Sequence, residues 1–525
     1  MNPESPDLKR LFLAVFLMTA LLMAYNAFFG PKPGAKVVPK PEAVPAVPVA
    51  PKPITAPKIE VANTPLITRE LAKTVSESVA VRGGYKALFS NEGARLQDWD
   101  LQGYQESLDL TPEFIAQSRD GNLTLSDKTR YELVSADLNS IVFQKITPEN
   151  IRVTRRYSLT DKPFVVRHEV EFTNQGTRPQ VLSIDMVMRT LESHKHNEDQ
   201  LAAAWHVNDK HKRFALKDLE EKPETAPNGP KYVSFDRRYF LMTLAPENNS
   251  QIESAKAEFF KANQQKGLTL KLQAKTMQLE PGASQTLGFS SYLGPKQLEL
   301  LQTAGHGIEE NIDYGWFGVL SRPLLWLLVY IYNWVHNFGI AIILLTVLIK
   351  LLTFPLTQKS FASQQEMKKI QPELKELQKK YSHDKAALGQ KQMEFYKEKG
   401  INPMAGCLPM LIQMPVWFAL YQMLGNSVEL YEQPFYGWIT DLTRPDPYYV
   451  FPVVMGLSML VSQWVIPPAI DDSQPQMKYV LWFMPLFLTF IMLNLPAGLS
   501  LYMLVNNLLT IAQQVYVRQL SESKA

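Results

Sequence analysis

Lys350 is a cation in the wrong solvent. It lies inside FGIAIILLTVLIKLLTFPLT, an apolar run from Phe338 to Thr357 with the length and composition of a membrane-crossing helix. An ammonium at that depth costs about 2.5–3.5 kcal/mol on insertion scales, so it faces protein, water or a charged partner. The other candidate spans supply polar but neutral side chains: Gln413, Gln422, Gln463, Asn506, Asn507, Gln513 and Gln514, with Thr346 one turn before the lysine. Many of these would be interhelical hydrogen-bonding glue. No Asp, Glu or His lies well inside a span after Phe338, so the pattern does not resemble a proton relay. The chemistry it permits is electrostatic: an unpaired cation that draws in an anionic group. The bland alternative is a lysine whose stem snorkels to the interface, since Lys359 follows nine residues later, about 13 Å along a helix.

Other reactive side chains point nowhere as specific. Glu192, His194, His196 and Glu198 (within ESHKHNED) hold an H-x-H but no further spaced ligand, and read as a solvated loop. His168 falls on the apolar face of an alternating run and reads as a core histidine. Cys407 is the only cysteine, which rules out an intramolecular disulfide and a thiolate metal centre. Neither a phosphate-binding GxxxxGK[ST] loop nor a GxSxG elbow is present. Neither nucleotide hydrolysis nor serine hydrolysis is therefore suggested, and the sequence calls for no cofactor or metal.

The elements that must position Lys350 follow from hydrophobic patterning over 525 residues. Residues 1–30 hold an apolar stretch (11–29) after Lys9 and Arg10, expected to be an uncleaved transmembrane anchor with a cytoplasmic N-terminus. Residues 31–57 are Pro/Ala/Val-rich and expected to be a semi-rigid linker. Residues 58–304 read as an all-β domain of sandwich type. In FVVRHEVEF (164–172), Val166, His168, Val170 and Phe172 share one face, and in GLTLKLQA (267–274) Leu268, Leu270 and Leu272 do. The stretch from about 192 to 230 is polar and expected to contain loops. Residues 305–337, with Trp316, Phe317, Trp326, Tyr330, Tyr332 and Trp334, suit an amphipathic helix lying in the membrane interface.

A core follows over 338–517. Its first span leads into 359–400, expected to be a hairpin of two short helices with ten lysines against six acids, a bias that marks the cytoplasmic side. That basic hairpin could meet anionic headgroups, ribosomal RNA or an acidic partner. Further spans are expected at 404–428, 448–466, 477–494 and 497–517. The loop 429–447 carries Glu429, Glu432, Asp441 and Asp446 against Arg444 and belongs outside. Six spans put both termini in the cytoplasm, with 518–525 a short tail and 31–304 on the far side. The fold class is a polytopic α-helical membrane protein with a large all-β extracytoplasmic domain. Two other functional classes fit the composition: a solute transporter or channel with a periplasmic sugar-binding-like domain, and an envelope enzyme or receptor acting through 58–304.

The stretches FPLTQKSFASQQEMKKIQPELKEL (354–377), NPMAGCLPMLIQMPVWFALYQML (402–424), DPYYVFPVVMGLSM (446–459), FMPLF (483–487) and PAGLSLYMLVNNL (496–508) together resemble the YidC membrane protein insertases of Gram-negative inner membranes. The anchor, linker and β domain, closing at YLGPK (292–296), are similar to the Gram-negative architecture; mitochondrial and chloroplast relatives share only the five-span core. The resemblance implies a β-supersandwich of mutarotase-like fold and a five-helix insertase core. It also implies a hydrophilic groove in the inner leaflet holding a single cation, at Lys350 here, where bacterial members usually carry Arg. Thr346 and Tyr502 match positions that contact the incoming chain, and Met414, Pro415 and Trp417 match an apolar slide. Gln413 and Asn506 belong to the polar lining. The implied partners are nascent membrane proteins, membrane lipids and Sec translocon components, with the ribosome or the signal recognition particle receptor meeting the 359–400 hairpin.

Overall fold

A computed structural model describes residues 67–71, 75–82, 84–101, 109–110, 113–137, 139–192, 201–262, 264–381, 383–400, 408–465 and 475–523. The expected anchor and linker, most of the ESHKHNED stretch, Cys407 and most of the 466–476 loop lie outside them.

The β unit is antiparallel throughout. One sheet has nine strands in the order Lys210–Ala215, Ala202–Val207, Tyr232–Asp236, Phe240–Pro246, Ser284–Pro295, Val165–Asn174, Ile151–Leu159, Ser140–Ile146 and Glu132–Ala136. A five-stranded sheet runs Glu224–Pro227, Ile252–Ala262, Gln265–Ala274, Ile184–Leu191 and Glu113–Ser118. Their buried residues belong to one hydrophobic cluster, which also takes in side chains from a smaller sheet within 67–110. The period-two reading of 164–172 holds from Val166 onward: Val166, His168, Val170 and Phe172 are buried and Arg167 is exposed, but Val165, on the opposite face, is buried as well. The turn after it is tied by Asn174, whose Oδ1 accepts from Gly176 N at 2.9 Å.

The polar stretch from about 192 to 230 holds regular structure as well as its turns. Ala202–Val207 and Lys210–Ala215 form a hairpin that extends the nine-stranded sheet. Its turn, Asn208-Asp209, has φ of 51° and 56°, the doubly left-handed geometry of a type I′ turn. The signal was present in NDK, but AAAWH is buried on both faces and shows no alternation.

Nine α-helices occur among the described residues: α1 (Leu216–Glu221), α2 (Leu298–Ala304), α3 (Gly318–Val335), α4 (Phe338–Lys380), α5 (Lys385–Glu398), α6 (Leu408–Asn426), α7 (Val450–Val465), α8 (Pro475–Met492) and α9 (Ala497–Ser523). In α3 the buried positions Ser321, Leu325, Leu328 and Tyr332 repeat at helical spacing, and Trp326, Tyr330 and Trp334 lie exposed on the other side. That is the amphipathic division the sequence predicts.

The span and the first arm of the expected hairpin are one helix, not two. α4 runs unbroken for 43 residues, about 65 Å, or twice the ~30 Å hydrocarbon core. Pro355 and Pro372 each forfeit one helical hydrogen bond, a cost of up to about 3 kcal/mol. Packing overrides it at Pro372, because Ile370 and Leu374 are buried on either side. The second arm, α5, folds back, and Lys399 meets Glu373 at 2.6 Å across the hairpin. By length and composition α4 is, among the described residues, the one helix long and apolar enough to cross a membrane. The apolar runs Val450–Trp464 and Trp482–Met492 are shorter. α9 packs on α4 and α7, α7 on α8, and α3 on α4 and α6.

Candidate functional site

The polar side chains of α9 are distributed by helical spacing. Tyr502, Asn506, Thr510 and Gln513 recur at four, four and three residues, which places them on one stripe. Three members of that stripe meet a neighbouring helix through a side chain. Gln413 of α6 donates through Nε2 to the Tyr502 hydroxyl, in a close contact. Lys350 Nζ of α4 donates to Thr510 Oγ1 at 2.7 Å. Gln513 Nε2 donates to Thr357 Oγ1 at 2.7 Å, further along α4. A second stripe, Asn507 and Gln514, faces α7: Asn507 Nδ2 donates to Ser458 Oγ at 2.8 Å, and Ser462 Oγ donates to Gln514 Oε1 at 3.5 Å. The seam is made of neutral groups on every side except for the ammonium. No carboxylate among the described residues pairs with Lys350.

Each predicted residue has a definite place. Lys350 is half-buried in the seam. Thr346 is buried one turn before it, and its hydroxyl donates to Ile342 O at 2.6 Å on its own helix. Tyr502 is buried and Gln413 half-buried, in mutual contact. Asn506 enters through its backbone, whose carbonyl accepts from Thr510 Oγ1 at 2.7 Å. Met414 is exposed and stands off the seam. Pro415 and Trp417 are half-buried, and Trp417 stacks on Tyr421 with ring centres 6.2 Å apart. The structure thus joins Lys350 to Thr510 and the Asn506 carbonyl, and Gln413 to Tyr502. Met414 and Trp417 belong to the apolar flank of α6. Thr510 and Thr357 were missed in the sequence because threonine is unremarkable in a span. The spacing from Asn506 to Gln513 carried the signal for Thr510.

The β unit grips the far end of α6, the helix that bears Gln413 to Trp417. Gly425 O, among the last carbonyls of that helix, accepts from Arg238 Nε at 2.7 Å and from the Tyr239 hydroxyl at 3.0 Å. Terminal carbonyls lack intrahelical donors, and a guanidinium also complements the negative end of the helix dipole. Asn426 Nδ2 donates to Asp313 O at 3.1 Å, and Tyr239 packs on Tyr431 with ring centres 4.7 Å apart.

Asp441 and Asp446 of the 429–447 loop are structural, Asp441 through Thr443 N and Oγ1 at 2.8 and 2.7 Å. Asp446 accepts from Trp438 Nε1, Tyr448 N and Phe451 N at 2.8–3.0 Å and so caps the start of α7. Glu429 lines a small space beneath the β unit with Lys296, Tyr314, Gln422 and Ser427. Burial, with Glu299 adding repulsion, pushes its carboxyl up to about 7 from an ordinary 4.5. The folded state therefore holds the proton more tightly than the unfolded chain. Stability is unaffected below pH 4.5, falls as pH rises from 4.5 to 7, and stays lowered above. Glu429→Gln is expected to raise the unfolding temperature of the detergent-solubilised protein at pH 8 and to leave it unchanged at pH 4.5. An equal gain at both would show that the carboxyl is not strained.

A cleft of about 620 Å³ opens on the β unit between His206, Lys231, Glu247, Asn248, His306 and Glu310. Its polar groups are already paired: His206 Nδ1 with Glu310 at 2.9 Å, Lys231 with Asp209 at 2.6 Å, and Glu247 with Arg167 at 2.6 Å. Among the described residues no three His, Cys, Asp or Glu side chains are grouped to hold a metal ion.

An antiparallel β unit clamped on apolar helices, with an ammonium that has no carboxylate partner among the described residues, is the architecture of a soluble domain joined to a helical, membrane-type domain. Residues 330–524 match the family described as 60Kd inner membrane protein, and residues 83–327 match the YidC periplasmic domain. The membrane protein insertase YidC of Geobacter metallireducens is 34% identical over 97% of this chain and 98% of its own length. The same-named protein of Citrifermentans bemidjiense is 35% identical over 97% and 99%. A crystal structure of an active YidC insertase aligns over 85% of this chain and 93% of its own, at 17% identity and a TM-score of 0.38. The chain belongs to the YidC family of membrane protein insertases, inner-membrane proteins with a periplasmic domain.

Proposed function

We propose that this protein inserts other membrane proteins into the inner membrane and assists their folding. The observation that carries the mechanism is the Lys350 ammonium, held in the seam by a neutral hydroxyl with no carboxylate partner among the described residues. Long-range attraction to an acidic, hydrophilic segment of an incoming chain draws that segment into the inner leaflet and shortens the polar distance left to cross. Charges in a medium of low effective dielectric attract several-fold more strongly than in water. The apolar part of the substrate then leaves sideways along α6, past Met414, Pro415 and Trp417, and along α8. Burial of about 20 apolar residues in lipid supplies the driving force, so the step needs neither nucleotide nor covalent chemistry, and the protein is read as non-enzymatic. The names of the relatives give no support to a solute transporter or channel.

The topology belongs to the same reading. The anchor within residues 1–30 and five spans built from α4, α6, α7, α8 and α9 place both termini in the cytoplasm and residues 31–304 in the periplasm. The interfacial helix at 305–337 connects the two parts, and the α4–α5 hairpin carries its lysines on the cytoplasmic side. Partners on this reading are nascent membrane proteins, lipids and the Sec translocon, with the ribosome or signal recognition particle receptor at the hairpin.

The test is insertion of a short single-span protein with an acidic tail into liposomes holding only the purified full-length chain, read by protease protection without nucleotide. Protection is expected, and Lys350→Ala is expected to lose most of it with the protein folded and present at normal level. Undiminished protection with Lys350→Ala would remove the ammonium from the mechanism.

A further inference from the structure

We propose that Thr510 is a positioning residue for the Lys350 ammonium, and through it a determinant of preference for acidic over neutral substrate tails. The inference rests on the reading of Lys350 given above and adds to it a second residue that makes no substrate contact.

The argument begins with proton direction. A threonine hydroxyl has one proton to give and two lone pairs to receive with. The Thr510 proton goes to the Asn506 carbonyl at 2.7 Å, one turn back on α9. The hydroxyl is thereby oriented as an acceptor, and Lys350 Nζ donates into it at 2.7 Å. An ammonium has three donors and no acceptor, so this contact uses one and leaves two N–H groups for an incoming carboxylate. Two polar neighbours on α9 are engaged elsewhere. Gln513 is bound to Thr357 Oγ1 and to Phe354 O, and the Asn507 amide to Ser458.

A tether matters more to lysine than it would to arginine. The lysine stem is flexible and its charge is compact and strongly hydrated, so an untethered ammonium at this depth extends toward the nearest polar interface. That interface is about 13 Å away at Lys359 by helical rise. Thr510 holds the charge back at the depth where a tail must arrive to gain from it. Lys350 supplies the charge, and Thr510 sets its position.

The experiment uses the full-length protein in liposomes and two single-span substrates that differ only in the tail, one with Asp and Glu, the other with Asn and Gln at those positions. Thr510→Val keeps the shape and removes the acceptor. It is expected to slow insertion of the acidic-tailed substrate roughly tenfold, the scale of a hydrogen bond to a charged group, while the neutral-tailed substrate changes less than about twofold by the same reasoning. Thr510→Ser, which restores the hydroxyl, is expected to recover the acidic-tail rate, and Thr510→Ala guards against a packing artefact of valine by showing the same split. Equal slowing of both substrates would assign Thr510 a packing role and overturn the proposal, as would no slowing of either. Lys350→Ala runs alongside. If it slows the acidic substrate and Thr510→Val does not, the positioning role fails alone. If Lys350→Ala itself is without effect, the reading of the cation fails and the proposal with it.

Discussion

Lys350→Glu is expected to reduce insertion of acidic-tailed substrates by at least about 100-fold, further than removal of the charge. Two unit charges 4 Å apart interact by about 4 kcal/mol at an effective dielectric of 20, so inverting the sign replaces an attraction with a repulsion of similar size. Among the described residues the seam offers no second charge to compensate. Tyr502, Gln413, Thr510, Gln513 and Thr357 are neutral and bound to one another or to backbone, and Asn506 is neutral. A substrate whose tail carries Lys in place of Asp and Glu should suffer much less, because its attraction to position 350 now has the favourable sign. The readout is protease protection of the paired substrates with the same preparation of variant. Equal loss for both tails would point to a collapsed seam instead of a reversed field.

The second large effect lies in the β unit. Arg155 is fully buried, and its guanidinium joins three parts of the fold that sequence separates. It donates to Gly93 O in a short contact of 2.5 Å, to Phe114 O at 3.0 Å and to the Tyr157 hydroxyl at 2.8 Å, and lies 2.9 Å from His168 Nε2. Tyr157 and His168 stack with ring centres 4.5 Å apart. The buried imidazole is held well below its ordinary range, first by desolvation and then by the guanidinium beside it, so it stays neutral and can accept from Arg155. Arg155→Leu orphans the carbonyls of Gly93 and Phe114, at about 1–3 kcal/mol each, and leaves a space that leucine does not fill. A loss of roughly 4 kcal/mol is expected, which for a domain of this size lowers the melting temperature by about 8–16 °C. Thermal unfolding of the full chain, followed by its β-sheet circular dichroism, measures it. A shift under about 3 °C would mean that the three segments hold together without the arginine.

Much of the architecture is legible in the residues because two periodicities coincide with two solvents. Alternation in 164–172 and 267–274 marks strands, and the apolar runs after Phe338 mark helices. The end of α3, the end of α6, the start of α7, the end of α8 and the start of α9 fall within a few residues of those expected, whereas α3 begins only at Gly318 and α9 runs on to Ser523. Where a signal of that kind is missing, the reading fails. The hairpin 202–215 is buried on one strand and charged on the other, so neither strand shows a clean alternation. The continuity of α4 through Pro355 and Pro372 was invisible because local propensity argues for a break, and only packing of Ile370 and Leu374 overrides it.

The sequence by itself determined that a cation stands inside an apolar run with no acid near it along the chain, since both are facts of residue order. It also determined the resemblance that assigns Lys350, Thr346 and Tyr502 to a groove. Only the tertiary structure decided which neutral group receives the ammonium. Thr510 is 160 residues from Lys350, and whether its hydroxyl accepts or donates depends on the Asn506 carbonyl one turn away. Hydrogen-bond direction is a property of two helices set side by side, and no pattern along one chain encodes it.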